Sequence, residues 1–315
     1  MHMATSDHTR PAGEDIHTPA DRHEVLIFVH VPKTGGMTLD HMIRRQYPDQ
    51  ALHWISYDRP ELLSEFQALD AKKKGEIRGL LGHVPFGIDA QLSGNPVYIT
   101  MLRDPVTRFI SEYHQVRRMT RPGAWRPPVD QVKSMTLDDF LNYRIENNTM
   151  DVQTAFIGGY IPPAGTQPPF EPLPENALQR AKDNLRNHFV VVGLTERFDE
   201  SLLLMKRRLG WNKHLFYARR NVVLRSASDR DVPPETLERI VEHTRLDAEL
   251  VRFSAALLDE AVREEGEAFQ IELRKLRWVN HAVFLLTNTW KRSPLWVRNA
   301  PGLRHVRTVV HNVLR

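Results

Sequence analysis

Apolar positions along the chain follow two alternating rhythms. Val25 to Val31 is a short, continuous run of mostly β-branched and aromatic side chains, as in a strand buried on both faces, and it stops at Pro32-Lys33-Thr34-Gly35-Gly36. Beyond the glycines, Met37, Leu39, Met42 and Ile43 recur at helical spacing, so the turn is expected to open into a helix. Further strand-like runs are expected at 51–56, 77–83, 96–102 and 188–194. Helical patterns are expected at 61–73, from Pro105 through Tyr113, at 136–144, 178–185 and 198–210, and as one or two amphipathic helices within 235–264. Such alternation predicts a single α/β domain built on a central parallel sheet flanked by helices. Residues 118–131 read as a long loop, and 159–175, with six prolines, as an exposed excursion.

Ligands of parallel α/β sheets sit at the carboxyl ends of the strands, and three chemically suggestive groups fall there: the PKTGG turn, His83 and Arg103. A strand, a glycine-rich turn and a helix start make an anion site, because unpaired amides and the positive end of the helix dipole converge. Gly35 and Gly36 permit close approach, Lys33 adds a mobile positive charge, and the Thr34 and Thr38 hydroxyls add donors. The pattern is not the nucleoside-triphosphate loop G-x-x-x-x-G-K-[ST]: here the lysine precedes the glycines and no Gly-Lys-Ser/Thr follows.

Composition narrows the field. In 315 residues there is no cysteine, which excludes a disulfide scaffold, a thiolate zinc site and a cysteine nucleophile. The net charge of +4 is unevenly spread: residues 273–315 carry nine basic and no acidic side chains, so the remainder is net acidic. Residues 1–22, polar and without an apolar core, are expected to be a disordered lead. Residues 23–264 would then be the domain and 265–315 a basic helical extension. In that extension Leu303, Val306, Val310, Val313 and Leu314 share a helical face opposite Arg304, Arg307 and Arg315, with Trp290 and Trp296 upstream. A basic amphipathic helix of this kind can lie on an anionic membrane surface, hold an acidic glycan, pack on a sister subunit or cover the core.

VPKTGGMTL, followed about seventy residues later by LRDPVTRFISEY, resembles the paired cofactor motifs of the sulfotransferases that use 3′-phosphoadenosine 5′-phosphosulfate (PAPS). The similarity is greatest to the carbohydrate sulfotransferase group containing the heparan 2-O-sulfotransferases. GHVPFG, ENNTMDVQTAFIGG and VVGLTERFDESL resemble further segments of that family, extending the likeness from about Val25 through Leu258. The resemblance implies a P-loop-containing, nucleotide-kinase-like fold. It also implies PAPS as co-substrate, no metal, and a hydroxyl-bearing carbohydrate acceptor.

Carried onto this chain, the resemblance implies that Lys33, Thr34, Gly35, Gly36, Met37 and Thr38 hold the cofactor's phosphosulfate end, while Arg103 and Ser111 grip its 3′-phosphate. His83 is the expected base, since imidazole accepts protons near neutral pH, and Lys33 the stabiliser of the leaving phosphate. Two positions depart from the family pattern. Met37 replaces a small hydroxyl residue, and Leu81 stands where the heparan enzymes carry a second histidine, which points to a different acceptor. Tyr217 to Asn221 resembles a cofactor-covering loop. A nucleoside-triphosphate kinase, which would need magnesium, and a non-catalytic protein binding anionic glycan or membrane are the alternatives. Nucleic acid is not expected as a partner, for no base-reading motif accompanies the basic tail. The corresponding location is cytoplasmic, peripheral to a membrane.

Overall fold

A computed structural model describes residues 24–292 except 58, 93, 120–128, 163–165, 167 and 218–231. Five strands, β1 (Glu24–Val29), β2 (Leu52–Trp54), β3 (Gly79–Leu81), β4 (Asn95–Leu102) and β5 (Phe189–Leu194), form one sheet in the order β2-β3-β1-β4-β5. Every pairing is parallel, with β1 against β4 from Glu24↔Asn95 to Val29↔Thr100 and against β3 at Leu26↔Gly79 and Ile27↔Leu80. β1 is central because its side chains are apolar on both faces: Ile27, Phe28 and Val29 are wholly buried. Since β3 and β4 flank β1 on opposite sides, the chain changes direction across the sheet there, and a crevice opens at the three carboxyl ends.

Helices cover both faces: α1 (Gly36–Gln46), α2 (Pro60–Gln67), α3 (Ala71–Glu76), α4 (Pro105–Val116), α5 (Val129–Ser134), α6 (Leu137–Glu146), α7 (Val152–Gly158), α8 (Ala177–His188), α9 (Phe198–Arg208), α10 (Pro234–His243), α11 (Arg245–Glu264) and α12 (Gly266–Arg292). All five expected strands are present, the second and third shortened to three residues each.

Two sequence expectations need correction. The helix expected over 61–73 is two helices, because the Asp70 carboxylate accepts from the Lys73 amide and caps a new one. Part of the expected loop 118–131 is helical from Val129, while 120–128 lie outside the described residues. In the expected basic extension from 265, Phe269 and Leu273 of α12 are buried in the main core. Arg207 and Lys206 of α9 pair with Glu265 and Glu272, and Arg277 with Glu200, so the opening turns of α12 dock on α9. The lead and the amphipathic face at 303–314 lie outside the described residues. Among the described residues no helix is long and apolar enough to cross a membrane.

Candidate functional site

The turn after β1 is bent in the way its residue types allow. Lys33 and Gly35 both take left-handed backbone conformations, φ 72° and 82°, and Gly35 is the N-cap of α1. The earliest amides of α1, at Gly36 and Met37, have no partner within the helix by construction, and no acidic residue occupies its first turn. That donor set, with Lys33 beside it, suits the phosphosulfate end of PAPS. Met37 is 65% exposed, so its side chain stands out from the turn and leaves its amide as the contribution to an anion.

Thr34 behaves differently from expectation. Its hydroxyl is buried and donates to Val31 O at 2.8 Å, so it closes the turn upon itself and is not offered to a ligand. Its carbonyl accepts from Thr195 Oγ1 at 2.7 Å, and the same hydroxyl lies 3.0 Å from Leu102 O. Thr195, in the VVGLTERFDESL segment, thereby ties the turn to the end of β4. Phe198 packs against Gly35, 3.4 Å from where a side chain would begin, and Tyr217 stacks edge-on to Phe198. Asn280 of α12 holds the Tyr217 amide and Asp199, linking the docked basic helix to the turn. Residues 218–221 of the expected covering loop lie outside the described residues.

Arg103 stands at the end of β4, where its guanidinium donates to Lys33 O at 3.1 Å and to Thr107 Oγ1 at 3.2 Å. Asp104 does not pair with it; the carboxylate caps α4 by accepting from the Thr107 amide at 2.8 Å. Burial lowers the Arg103 pKa, opposed by Glu196, yet a guanidinium remains charged at any physiological pH. Ser111 lies half-buried one turn beyond Thr107 on the same side of α4. The structure therefore joins the two motifs directly, through a bond from the arginine of one to the backbone of the other.

On the other side of β1, His83 follows β3. Gly82 precedes it at φ 120°, where an added side chain would meet Ile55 O at 1.9 Å, so only glycine lets the chain turn here. His83 Nδ1 lies 2.8 Å from His30 O. A carbonyl can only accept, so Nδ1 carries the proton and Nε2 is the basic nitrogen. The His83 ring lies 4.5 Å from the His30 ring and 6.5 Å from Trp54.

His30 was not singled out by the sequence, where it reads as the end of an apolar run. Its ring fills the space beside Gly36: a side chain there would begin 1.9 Å from His30 Nε2. Burial, then the proximity of His83 and Lys33, holds its pKa well below the ordinary histidine value. His30 is thus a neutral wedge between the anion turn and His83. Leu81, the other departure, is fully buried in the core.

Beneath α4 lies a second polar layer. Arg108 pairs with Glu112 at 3.0 Å, Glu112 with Arg144 at 2.8 Å, and all three are almost wholly buried. Asp247 of α11, also buried, receives the amides of Gln153 and Thr154 and the Thr154 hydroxyl, and its own amide donates to Asp151. Asp151 borders a cavity of about 430 Å³ with Tyr160, Phe170, Glu171 and His243. Burial and the neighbouring Asp247 push its pKa up to about 7, against the pull of Arg108.

Comparisons with known proteins bear on the family of the chain. Mouse uronyl 2-sulfotransferase is 31% identical over 140 residues, 40% of this chain and 32% of that protein. The chain thus spans about a third of the length of the uronyl 2-sulfotransferases that it matches. The heparin sulfate O-sulfotransferase of Drosophila melanogaster is 24% identical over 249 residues, 72% of this chain and 68% of that one. Mouse sulfotransferase SULT7A1, solved with PAP, gives a TM-score of 0.38 at 12% identity over 83% of this chain and 90% of its own, a likeness too slight to bear weight. The galactose-3-O-sulfotransferase family model matches residues 37–290, from the first turn of α1 nearly to the end of α12, and the chain belongs to that family.

Proposed function

We propose that this protein transfers a sulfuryl group from PAPS to a hydroxyl of a carbohydrate acceptor. The observation that carries the proposal is the His83 Nδ1 bond to His30 O, which makes Nε2 the basic nitrogen of a histidine at a strand end neighbouring that of Lys33. When bound, PAPS supplies an activated sulfuryl group. The turn amides and Lys33 hold the phosphosulfate end, and Arg103, with Ser111, holds the 3′-phosphate. His83 Nε2 takes the proton of the acceptor hydroxyl as its oxygen attacks sulfur in line. The Lys33 ammonium neutralises the charge that develops on the departing phosphate. His30, kept neutral, backs His83 without adding a proton of its own.

The relatives are named for different hydroxyls, 2-O of a uronyl residue and 3-O of galactose. A glycosaminoglycan or galactose-bearing glycan is accordingly the acceptor class to screen. Transfer of radiolabelled sulfate from PAPS to such a panel tests the proposal: turnover should fall by about a thousandfold or more in His83→Ala, with PAP binding retained. Equal turnover in His83→Ala and the native chain would overturn the base assignment. Magnesium-dependent transfer of phosphate from a nucleoside triphosphate would replace the reading with the kinase alternative.

A second reading concerns α12. Trp278 is 74% and Ile271 41% exposed, seven residues apart on one face, with Arg274 and Lys275 exposed between them. This supports peripheral contact, from the cytoplasmic side, with an anionic membrane surface, the acceptor then being lipid-linked. Co-sedimentation with phosphatidylserine vesicles, lost in Trp278→Ala with Lys275→Ala, tests it. Unchanged co-sedimentation would remove it.

A further inference from the structure

Arg103 is held from a direction that the cofactor motifs do not reveal. The Gln153 side chain, wholly buried, pairs with the Arg103 peptide unit on both sides: its Oε1 accepts from Arg103 N at 2.9 Å and its Nε2 donates to Arg103 O at 2.8 Å. In effect Gln153 continues the sheet for one residue past β4 and fixes where the arginine side chain departs. Gln153 is in turn fixed by Asp247. Its amide donates to Asp247 Oδ2 at 3.1 Å, while the Thr154 amide and hydroxyl donate to Oδ1 at 2.8 and 2.9 Å.

This is helix capping delivered from a distant helix. The N-cap residue of α7 is Asp151, a residue type well suited to cap, yet its side chain makes no capping bond and accepts instead from the Asp247 amide at 2.9 Å. The α7 N-terminus therefore depends on a carboxylate 94 residues ahead of Gln153 in the chain. A half-buried carboxylate, Asp151, and a buried one, Asp247, are set side by side to achieve this, and the charge of Arg108 acts on both. A helix needing only to pack could have been capped by its own Asp151. What the exchange adds is a fixed Gln153, and among the described residues its carboxamide holds the N–H and C=O of Arg103.

We propose that Gln153, anchored by Asp247, is a positioning residue for Arg103 that sets the guanidinium for its phosphate, so that α11 governs co-substrate affinity without touching the co-substrate. This rests on the PAPS reading of the crevice. The relay should act on the nucleotide alone: Gln153→Met should raise the KM for PAPS and leave the KM for the acceptor unchanged. Asp247→Asn retains one acceptor oxygen and loses the other, so its effect should be in the same direction and smaller.

The test is a double-mutant cycle read by calorimetry of PAP binding to the full chain. Native protein that fails to bind PAP, or Arg103→Ala that binds as well as the native chain, would overturn the PAPS reading of Arg103 itself. Given native binding weakened by Arg103→Ala, Gln153→Met should cost about tenfold in affinity, and adding it to Arg103→Ala should cost nothing more. Native-like affinity in Gln153→Met, or a full second loss in the double variant, would overturn the relay while leaving the PAPS reading intact. If Gln153→Met does not fold, Gln153→Glu supplies the second readout. Its carboxylate still accepts from Arg103 N but can donate to Arg103 O only when protonated, so its affinity relative to native should improve as pH falls. A ratio independent of pH would overturn the relay.

Discussion

The two polar layers on either side of Arg103 solve opposite problems. In the crevice floor the buried groups are neutral or self-satisfied: His30 stays unprotonated, and Thr34 and Thr195 spend their hydroxyls on carbonyls. The cationic side chains are confined to the rim, as Lys33 and Arg103. Beneath α4 the reverse holds, with Arg108, Glu112, Arg144 and Asp247 gathered in the interior and Asp151 half-buried beside them. A floor without buried anions preserves a positive field for a phosphate ligand, whereas paired interior charges give geometry at the expense of desolvation. On the proposed reading one layer meets ligand, and the other holds the parts of the first in place.

Removing charge from the interior layer should have the largest effect on folding. Glu112→Ala leaves Arg108 and Arg144 buried without their carboxylate and is expected to cost about 3–5 kcal/mol, measured by urea unfolding. A loss below about 1 kcal/mol would mean that the layer is not organised by this triad. Next is Gly36→Ala, which drives a methyl into the His30 ring. Overpacking of this kind should cost about 1–3 kcal/mol and weaken PAP binding, and His30→Ala in the same chain should restore part of both.

Acid and base titrations should separate the layers further. His30 has a depressed folded pKa, so its contribution is present above the unfolded value near 6.5 and is lost as pH falls below it. Asp151 has a raised one, so its contribution is present below the unfolded value near 3.8 and is lost as pH rises through about 7. Asp247 and Arg108 face it from α11 and α4, and Glu171 and His243 share its cavity. Thermal midpoints of Asp151→Asn should therefore gain on the native chain as pH rises from about 4 to about 7, whereas His30→Gln should flatten the acid limb only. Identical pH profiles for both variants would contradict the division. The smallest effect belongs to the half-exposed pairs of α12: Glu272→Gln should cost no more than about 1 kcal/mol.

How much of this was legible in the sequence follows from the range of each interaction. Strands β1, β4 and β5 and the PKTGG turn are local patterns of apolar runs and glycine, and they stand where the pattern puts them. Lys33, Arg103 and His83 were visible as charged or titratable groups at strand ends. Gln153 and Asp247 were not, because a hydrogen bond spanning 94 residues leaves no periodic trace. His30 was hidden by its own burial within an apolar run. The Thr34 bond to Val31 O was not legible, because a hydroxyl near a phosphate loop looks like a donor whether or not a carbonyl has already taken it. The docking of α12 was masked by its charge, since Phe269 and Leu273 are few among many basic residues.

The central claim, that the crevice binds PAPS through the turn and Arg103, is tested most directly by calorimetry of PAP binding in the presence of a chelator, comparing the native chain with Lys33→Ala and Arg103→Ala. The account predicts metal-independent binding in the native protein, weakened about tenfold or more by each change. Binding that requires magnesium, or that is indifferent to both substitutions, would contradict it.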